Sequence, residues 1–134
     1  MNYWLVKSDP DTYSWHDLLK DGSTGWDGVR NYAARNHLKG MKKGDKVFVY
    51  HSGDETAVVG IATVVKEFYQ DPTTDEAAWV TVNLKAEKAL KKPVSLSQIK
   101  SDKRLKNILL IKIGRLSVMP IKPEEFEVIV EMGN

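Results

Sequence analysis

The sequence predicts an α+β fold of about five short, mostly antiparallel strands, curved into a barrel or strongly bent sheet with short flanking helices. Residues 46–50, 57–69 and 79–86 are rich in Val, Ile, Thr and aromatic residues, which is typical of consecutive strands. Helix-capping patterns lie on either side of this region. With 134 residues, 42% of them hydrophobic, we expect a single domain over residues 1–134.

The N-terminal third is predicted to hold one strand and two helices. Residues 3–7 form the strand, and the capping box that starts at Ser14 begins a short helix ending near Gly22. Residues 22–28, with the sequence GSTGWDG, form a turn-rich loop. Residues 30–39 form the second helix, because apolar residues recur there at helical spacing before a glycine stop.

The remaining elements follow from capping signals and apolar runs. Gly60, inside the strand 57–69, indicates a bulge or a close approach of another group to the backbone. Residues 95–100 form a capped helical turn, and residues 108–113 form a fifth strand. A last helix begins at Pro123, since proline suits the first helical position. Its predicted buried stripe is Phe126, Ile129 and Val130.

Positive charge is concentrated in one segment although the net charge is only +2. Residues 85–115 hold ten Lys or Arg and two acidic residues, which leaves the rest of the chain acidic. Clustered cations attract phosphates, so this segment is a candidate nucleic-acid contact; the alternative is a solvated lysine-rich face. The proposed phosphate-binding residues are Lys91, Lys92, Lys103 and Arg104.

The sequence lacks the usual signatures of catalysis and of metal or cofactor binding. There is no phosphate-binding glycine loop and no cysteine, and the three histidines are far apart, so we expect no metal site and no cofactor. His51 and Ser52 do not form a nucleophile–base pair, because adjacent strand residues point to opposite faces. No leader-like segment or run of about 18 apolar residues occurs, so we expect a cytoplasmic protein, or a nuclear one in a eukaryote.

The four tryptophans differ in their surroundings. Trp4 and Trp79 fall in predicted strands, and we expect both in the core. Trp26 instead lies in the glycine-rich loop, followed by the polar residues Arg30 and Asn31. A loop aromatic beside such residues suits base stacking, although a tryptophan that folds back into the core is an open alternative.

Six sequence blocks together resemble the EVE domain family. In chain order they are Trp4–Ser8 (WLVKS), Tyr13–Trp15 (YSW), Trp26–Asn31 (WDGVRN), Val47–Ser52 (VFVYHS), Val59–Ala62 (VGIA) and Arg115–Pro120 (RLSVMP). They span nearly the whole chain. The resemblance implies a PUA-like pseudobarrel of about five to six strands, related to domains that hold a modified base in an aromatic-lined pocket.

The resemblance also implies a base-binding pocket and its residues. Trp26 would stack on the base, with Lys7 and Ser8 lining the pocket and Arg30 and Asn31 at its rim. The two remaining walls would be formed by Tyr50, His51 and Ser52 and by Leu116 and Ser117.

These observations favour a non-catalytic module that recognises a modified base, such as modified cytosine in DNA or a modified base in RNA, with any effector being a separate protein. Two alternatives are an enzyme acting on a modified nucleotide, with His51 or Asp27 as its acid or base, and a binding module for a protein or a small molecule. Acidic surroundings at the Trp26 pocket would favour the last.

Overall fold

The computed structural model describes residues 1–134 as one six-stranded sheet with short helices. The strands are β1 Tyr3–Ser8, β2 Ser23–Gly25, β3 Lys46–His51, β4 Ala57–Gln70, β5 Val80–Ser95 and β6 Val118–Ile121. The α helices are α1 Trp15–Asp21, α2 Tyr32–Gly40, α3 Leu96–Ser101, α4 Leu109–Lys112 and α5 Pro123–Met132, with a 3₁₀ turn at Lys103–Leu105. No helix has the length and apolar character needed to cross a membrane.

The sheet has the strand order β2-β5-β4-β3-β1-β6, which confirms an α+β fold with mostly antiparallel strands. β1 pairs with β3 in parallel, and the other four neighbouring pairs are antiparallel. β1 is therefore an interior strand, between β3 and the C-terminal strand β6. Leu5 and Val6 are fully buried in it, as an interior strand requires.

Helix α2 shows how strongly the sheet is curved. It packs against β6 at one edge and also against β5, which lies next to the opposite edge. One helix can touch both regions only because the sheet bends around it. Its inner face is fully buried through Ala34 and Leu38, and Met41 continues that face just after the helix.

Gly60 has both properties predicted from the sequence. The register of β4 against β3 and β5 shifts beside it, so the strand is irregular at this point. A Cβ atom built on Gly60 would lie 2.5 Å from two carbons of the Trp15 indole. Trp15 is thus packed directly on the backbone of β4, which fixes α1 against the sheet.

The predicted strand at residues 108–113 is wrong. This segment forms helix α4, in which the Ile113 N–H donates to the Leu109 carbonyl at 2.8 Å. A short apolar run fits a buried helical turn as well as a strand, and only its tertiary packing decides between them. The fold has two strands that the sequence did not predict: β6, which pairs with β1, and the three-residue β2.

The end of β5 and the buried face of α5 also differ from the predictions. β5 continues to Ser95 rather than ending near residue 86, so the basic residues that follow lie on a strand. In α5 the buried apolar positions are Val128 and Ile129, whereas Val130 is only half-buried. Phe126 is also half-buried, and its ring stacks on those of Tyr3 and Phe48 at 4.2 Å and 4.5 Å between centroids.

We expect Gly60→Ala to destabilise the fold by about 2–3 kcal/mol, because the added methyl group overlaps the Trp15 ring and the packed core cannot accommodate it without movement. Urea unfolding measures the change. Gly114→Ala is the control, since a Cβ atom there would meet nothing within 4 Å. Equal stability of the two variants would mean that Trp15 does not hold its position on β4.

Candidate base-binding cavity

A cavity of about 550 Å³ opens beside the C-terminal end of β1. Its volume lies within the range of about 300–1,000 Å³ that is common for small-molecule sites. The lining comes from the end of β1, the segment before α1, β2 with the loop that follows it, and the residue before β6. The residues are Lys7, Ser8, Asp9, Thr12, Tyr13, Thr24, Gly25, Trp26, Asp27, Gly28, Val29, Arg30 and Ser117.

Trp26 belongs to the core and to the cavity at once. It is 8% exposed, and its backbone N–H donates to the Val82 carbonyl at 2.8 Å, continuing the pairing of β2 with β5. Its ring meets Tyr13 edge to face at 6.2 Å between centroids. The two alternatives considered for this tryptophan therefore do not exclude each other, because one ring packs on the core and also lines the cavity.

Lys7 supplies a partly desolvated positive charge to the cavity. Its ammonium donates to the Gly114 carbonyl at 2.7 Å and lies 5.7 Å from the centroid of the Tyr50 ring. No carboxylate forms an ion pair with it, and burial lowers the pKa of Lys7. A ligand oxygen that accepts a hydrogen bond from this ammonium would offset the lost hydration.

Backbone pairing holds Lys7 and Ser8 in place. The Lys7 N–H donates to the Ser117 carbonyl at 2.9 Å, so β1 remains joined to the chain just before β6. The Ser8 hydroxyl donates to the Tyr13 carbonyl, and the Ser52 N–H donates to the Ser8 carbonyl at 3.0 Å. The end of β1 is therefore bonded on both sides, which makes this wall of the cavity rigid.

A buried carboxylate, Asp71, fixes the loop that follows Trp26. Asp71 is 0% exposed and lies just after β4. One of its oxygens accepts from the Gly28 N–H at 2.8 Å and from the Arg30 guanidinium at 3.0 Å. The other accepts from the N–H and the hydroxyl of Thr73 at 2.7 and 2.6 Å. Gly28 has φ +79°, so the turn bonded to Asp71 uses a conformation that favours glycine.

These bonds keep Asp71 charged. Burial by itself raises the pKa of a carboxyl group, but the hydrogen bonds from Thr73, Gly28 and Arg30 outweigh it and hold the pKa of Asp71 well below its usual range. This role was not predicted from the sequence. The Asp-Pro-Thr-Thr sequence at 71–74 indicates a turn, but nothing local identifies a partner 41 residues away.

Arg30 is held at the cavity rim from three directions. Besides Asp71, its guanidinium donates to the Thr73 hydroxyl at 3.0 Å and lies 5.6 Å from the centroid of the Trp79 ring.

Trp79 itself is half-buried and precedes β5, so its predicted place in the core is wrong, whereas Trp4 is buried as predicted.

Five of the ten residues expected at the pocket lie outside this cavity. Asn31 caps α2, with its side-chain oxygen accepting from the Ala34 N–H at 2.9 Å. Tyr50 is 3% exposed and Leu116 is 4% exposed, so both are core residues, although Tyr50 lies beneath the Lys7 ammonium. The other two are His51 and Ser52 at the end of β3. The five that do line it are Lys7, Ser8, Trp26, Arg30 and Ser117.

His51 faces a second cavity, of about 540 Å³, which it shares with acidic residues that include Asp9, Asp54 and Glu55. Its Nε2 accepts from the Trp15 N–H at 2.9 Å, at the start of α1. Burial lowers the pKa of His51, which favours the neutral ring that this bond requires. The histidine therefore has a structural role in joining β3 to α1.

None of the four residues expected to contact phosphate lines this cavity. Lys91 and Lys92 are exposed on β5, where the Lys92 N–H donates to the Gly133 carbonyl just after α5. Arg104 lies between Asp102 and Glu131, at 2.8 Å and 3.1 Å. The hydrogen bonds from Arg104 lower the pKa of Asp102, so the Arg104 charge is largely balanced within the protein.

A sequence model of the EVE domain matches residues 2–132. The chain belongs to the EVE domain family. Human thymocyte nuclear protein 1 is 32% identical over 165 aligned positions, covering 98% of this chain and 73% of that protein. The Gallus gallus protein of the same name is 34% identical, covering 97% of this chain and 68% of that one.

Two solved structures superpose over the whole chain. A protein from Agrobacterium tumefaciens is 39% identical, with a TM-score of 0.98 over 100% of this chain and 94% of that one. The human THYN1 protein is 32% identical, with a TM-score of 0.93 over 100% of this chain and 98% of that one. The human structure is a complex with DNA that contains 5-methylcytosine.

We expect Asp71→Asn to lower stability at neutral pH by about 2 kcal/mol or more, because an amide cannot accept from all four surrounding donors and leaves Arg30 without its buried counter-charge. Thermal and urea unfolding measure the change. The exposed Asp75→Asn is the control and should have little effect.

The wild type and Asp71→Asn also test how the contribution of Asp71 to stability depends on pH. Because the folded-state pKa of Asp71 is below its unfolded value of about 3.9, its stabilisation is complete well above pH 4 and is lost as the pH falls towards the folded-state value. The stability difference between the wild type and Asp71→Asn should therefore shrink below about pH 4. A difference that is independent of pH down to about pH 2 would contradict this role.

Proposed function

We propose that this protein is a non-catalytic reader that binds a modified base, most specifically 5-methylcytosine in DNA, in the cavity beside Trp26. The observation that carries the proposal is the combination of this cavity, lined by Trp26 and Lys7, with the human relative, whose structure contains 5-methylcytosine DNA and which superposes over the whole chain. We propose that residues 1–134 act as one EVE domain.

The chemistry of the lining supports base binding. An indole offers a stacking surface worth about 1–3 kcal/mol per base. Lys7 is a donor for a ring carbonyl or a phosphate oxygen, and Asp27 is an acceptor for an exocyclic amine such as that of cytosine. We propose that Trp26, Lys7 and Asp27 contact the base itself and that Ser8, Arg30 and Ser117 shape the cavity around it.

The remaining members of the predicted site fit supporting roles in this proposal. Asn31, Tyr50 and Leu116 position the walls, while His51 and Ser52 fix the strand end on which Ser8 lies. Lys91, Lys92 and Lys103 are proposed to attract phosphate groups from outside the cavity, with Arg104 contributing less because acidic residues already surround it.

Two alternatives are less well supported. Catalysis through His51 would need a free ring nitrogen at the base, but His51 faces another cavity and its Nε2 accepts from the Trp15 backbone. A module for a protein or small molecule would be favoured by acidic surroundings, yet the cavity has two basic and two acidic residues. RNA carrying a modified base is the remaining nucleic-acid candidate, and we propose that the protein acts in the cytoplasm, or in the nucleus of a eukaryote.

We expect Trp26→Phe to weaken binding of 5-methylcytosine DNA by about 5- to 10-fold, because a smaller ring stacks on less of the base. Fluorescence anisotropy with matched methylated and unmethylated strands measures the affinity. Since Trp26 is also a core residue, the variant should lose some stability.

Trp4→Phe separates these two effects. Trp4 is 7% exposed and its indole N–H donates to Asp45 at 3.0 Å, so its replacement also lowers stability, but Trp4 does not line the cavity. It should leave the affinity unchanged. Equal losses of affinity in the two variants would mean that Trp26 acts only through the fold, and a wild type without preference for the methylated strand would refute the proposed function.

Replacing Lys91, Lys92 and Lys103 together by Gln should weaken DNA binding and make it less dependent on salt. The slope of the logarithm of affinity against the logarithm of salt concentration should fall by up to about one unit for each lysine that neutralises a phosphate. Preference for the modified base should survive, because phosphate contacts position the strand and base contacts specify it. Binding titrations at several salt concentrations measure this. An unchanged slope would identify this surface as merely solvated.

A further inference from the structure

Tyr32 is exposed and yet held in a fixed position. It is the first residue of α2 and is 63% exposed, which leaves most of a large aromatic side chain in contact with water. Its ring lies 5.0 Å from that of Trp79 at an angle of 33°. Trp79 is tied to its own loop, since its indole N–H donates to Glu76 at 2.9 Å. The ring of Tyr32 is therefore exposed to solvent while it packs against Trp79.

Arg35 adds a charge that the protein does not balance. Its guanidinium carbon lies 4.9 Å from the centroid of the Tyr32 ring. Its hydrogen bonds go to the Asn36 side-chain oxygen and the Ala78 carbonyl, which are neutral acceptors. Arg30 and Arg104, by contrast, both have carboxylate partners. Tyr32 and Arg35 thus combine an exposed aromatic ring with an unpaired cation, and we call them the Tyr32–Arg35 platform.

The platform is connected to the cavity by direct contacts. Arg30 lines the cavity and lies against Trp79, and Trp79 supports Tyr32. A chain that enters the cavity past Arg30 therefore has this platform as its next surface. The position matters because a base in the cavity belongs to a strand whose neighbouring nucleotides must lie close to the rim.

We propose that the Tyr32–Arg35 platform binds the unpaired nucleotide next to the one held in the cavity, with its base on Tyr32 and its phosphate on Arg35. An aromatic face stacks on any base, and an arginine without a counter-charge is well suited to a phosphate. The occupant is a nucleic-acid strand, because the same pair of groups matches both halves of a nucleotide. This inference rests on the proposed function and extends the site by one nucleotide.

The test combines protein and DNA substitutions in a double-mutant cycle. Wild type and Tyr32→Ala are titrated with a single DNA strand that carries one 5-methylcytosine, and with strands whose 5′ or 3′ neighbour is abasic. Tyr32→Ala should weaken binding of the intact strand by about 5- to 100-fold. The wild type should bind one of the two abasic strands more weakly than the intact strand, by about the same factor. Tyr32→Ala with that abasic strand should show no greater loss of affinity than the protein change or the DNA change alone.

Two matched variants serve as controls. Tyr32→Phe keeps the ring and should bind like the wild type. Phe68→Ala removes another exposed aromatic ring that pairs with a cation, Lys39. Phe68 lacks the aromatic contact that links Tyr32 through Trp79 to Arg30 at the cavity rim, so its loss should leave affinity unchanged. Arg35→Ala should lower the salt slope by about one unit, whereas Arg35→Lys should keep the slope and lose part of the affinity.

Binding of the mononucleotide 5-methyl-2′-deoxycytidine 5′-monophosphate shows whether the loss of affinity arises at the neighbouring nucleotide or in the cavity. Tyr32→Ala should not change its binding, since it has no neighbouring base. Three results would each overturn this proposal. Tyr32→Ala would lose as much affinity for the mononucleotide as for the strand, or the protein and DNA changes would lower affinity independently, or Tyr32→Ala would bind the intact strand like the wild type. The proposed function is judged separately by the preference of the wild type for methylated over unmethylated strands, so either idea can fail while the other stands.

Discussion

The shape of the cavity depends on one buried charge. Asp71 accepts four hydrogen bonds while fully removed from solvent, and two of them come from the loop that connects Trp26 to α2. A carboxylate in such surroundings is stable only while its donors remain in place, so the ends of β4 and of this loop are fixed relative to each other. The rim residue Arg30 is therefore positioned before any ligand arrives, which reduces the loss of conformational freedom on binding.

Trp26 shows why stability and binding are hard to separate at this site. Most of its surface packs into the core, and the remainder borders the cavity. A residue with both roles gives the cavity a rigid wall, because the ring has no alternative position without leaving a void. The same arrangement means that a change in this ring disturbs the fold and the site together. The affinity of a Trp26 variant is therefore meaningful only beside that of a variant at a tryptophan with a structural role alone.

The sequence predicted those elements that carry strong local signals. The capping box at Ser14 and the strands rich in β-branched residues occur because their causes lie within a few residues of each other. Gly60 indicates its close contact by its missing side chain, but its partner Trp15 lies in a distant segment that the sequence did not identify. The apolar run of α4 was assigned wrongly, since periodicity cannot separate a helical turn from a strand over so few residues. Asp71 and the support of Tyr32 by Trp79 escaped prediction because each joins segments about forty residues apart, and no local pattern records such a pairing.

The position of β1 in the sheet has a consequence for how the chain is made. Its two neighbours are β3 and β6, and β6 begins 115 residues after Tyr3, at Val118. During translation one edge of the strand Tyr3–Ser8 therefore remains unpaired until β6 has also left the ribosome. Pairings between such distant segments slow folding, and an open strand edge invites association with other chains. The nascent protein is thus exposed to aggregation at this edge until residues 118–121 emerge.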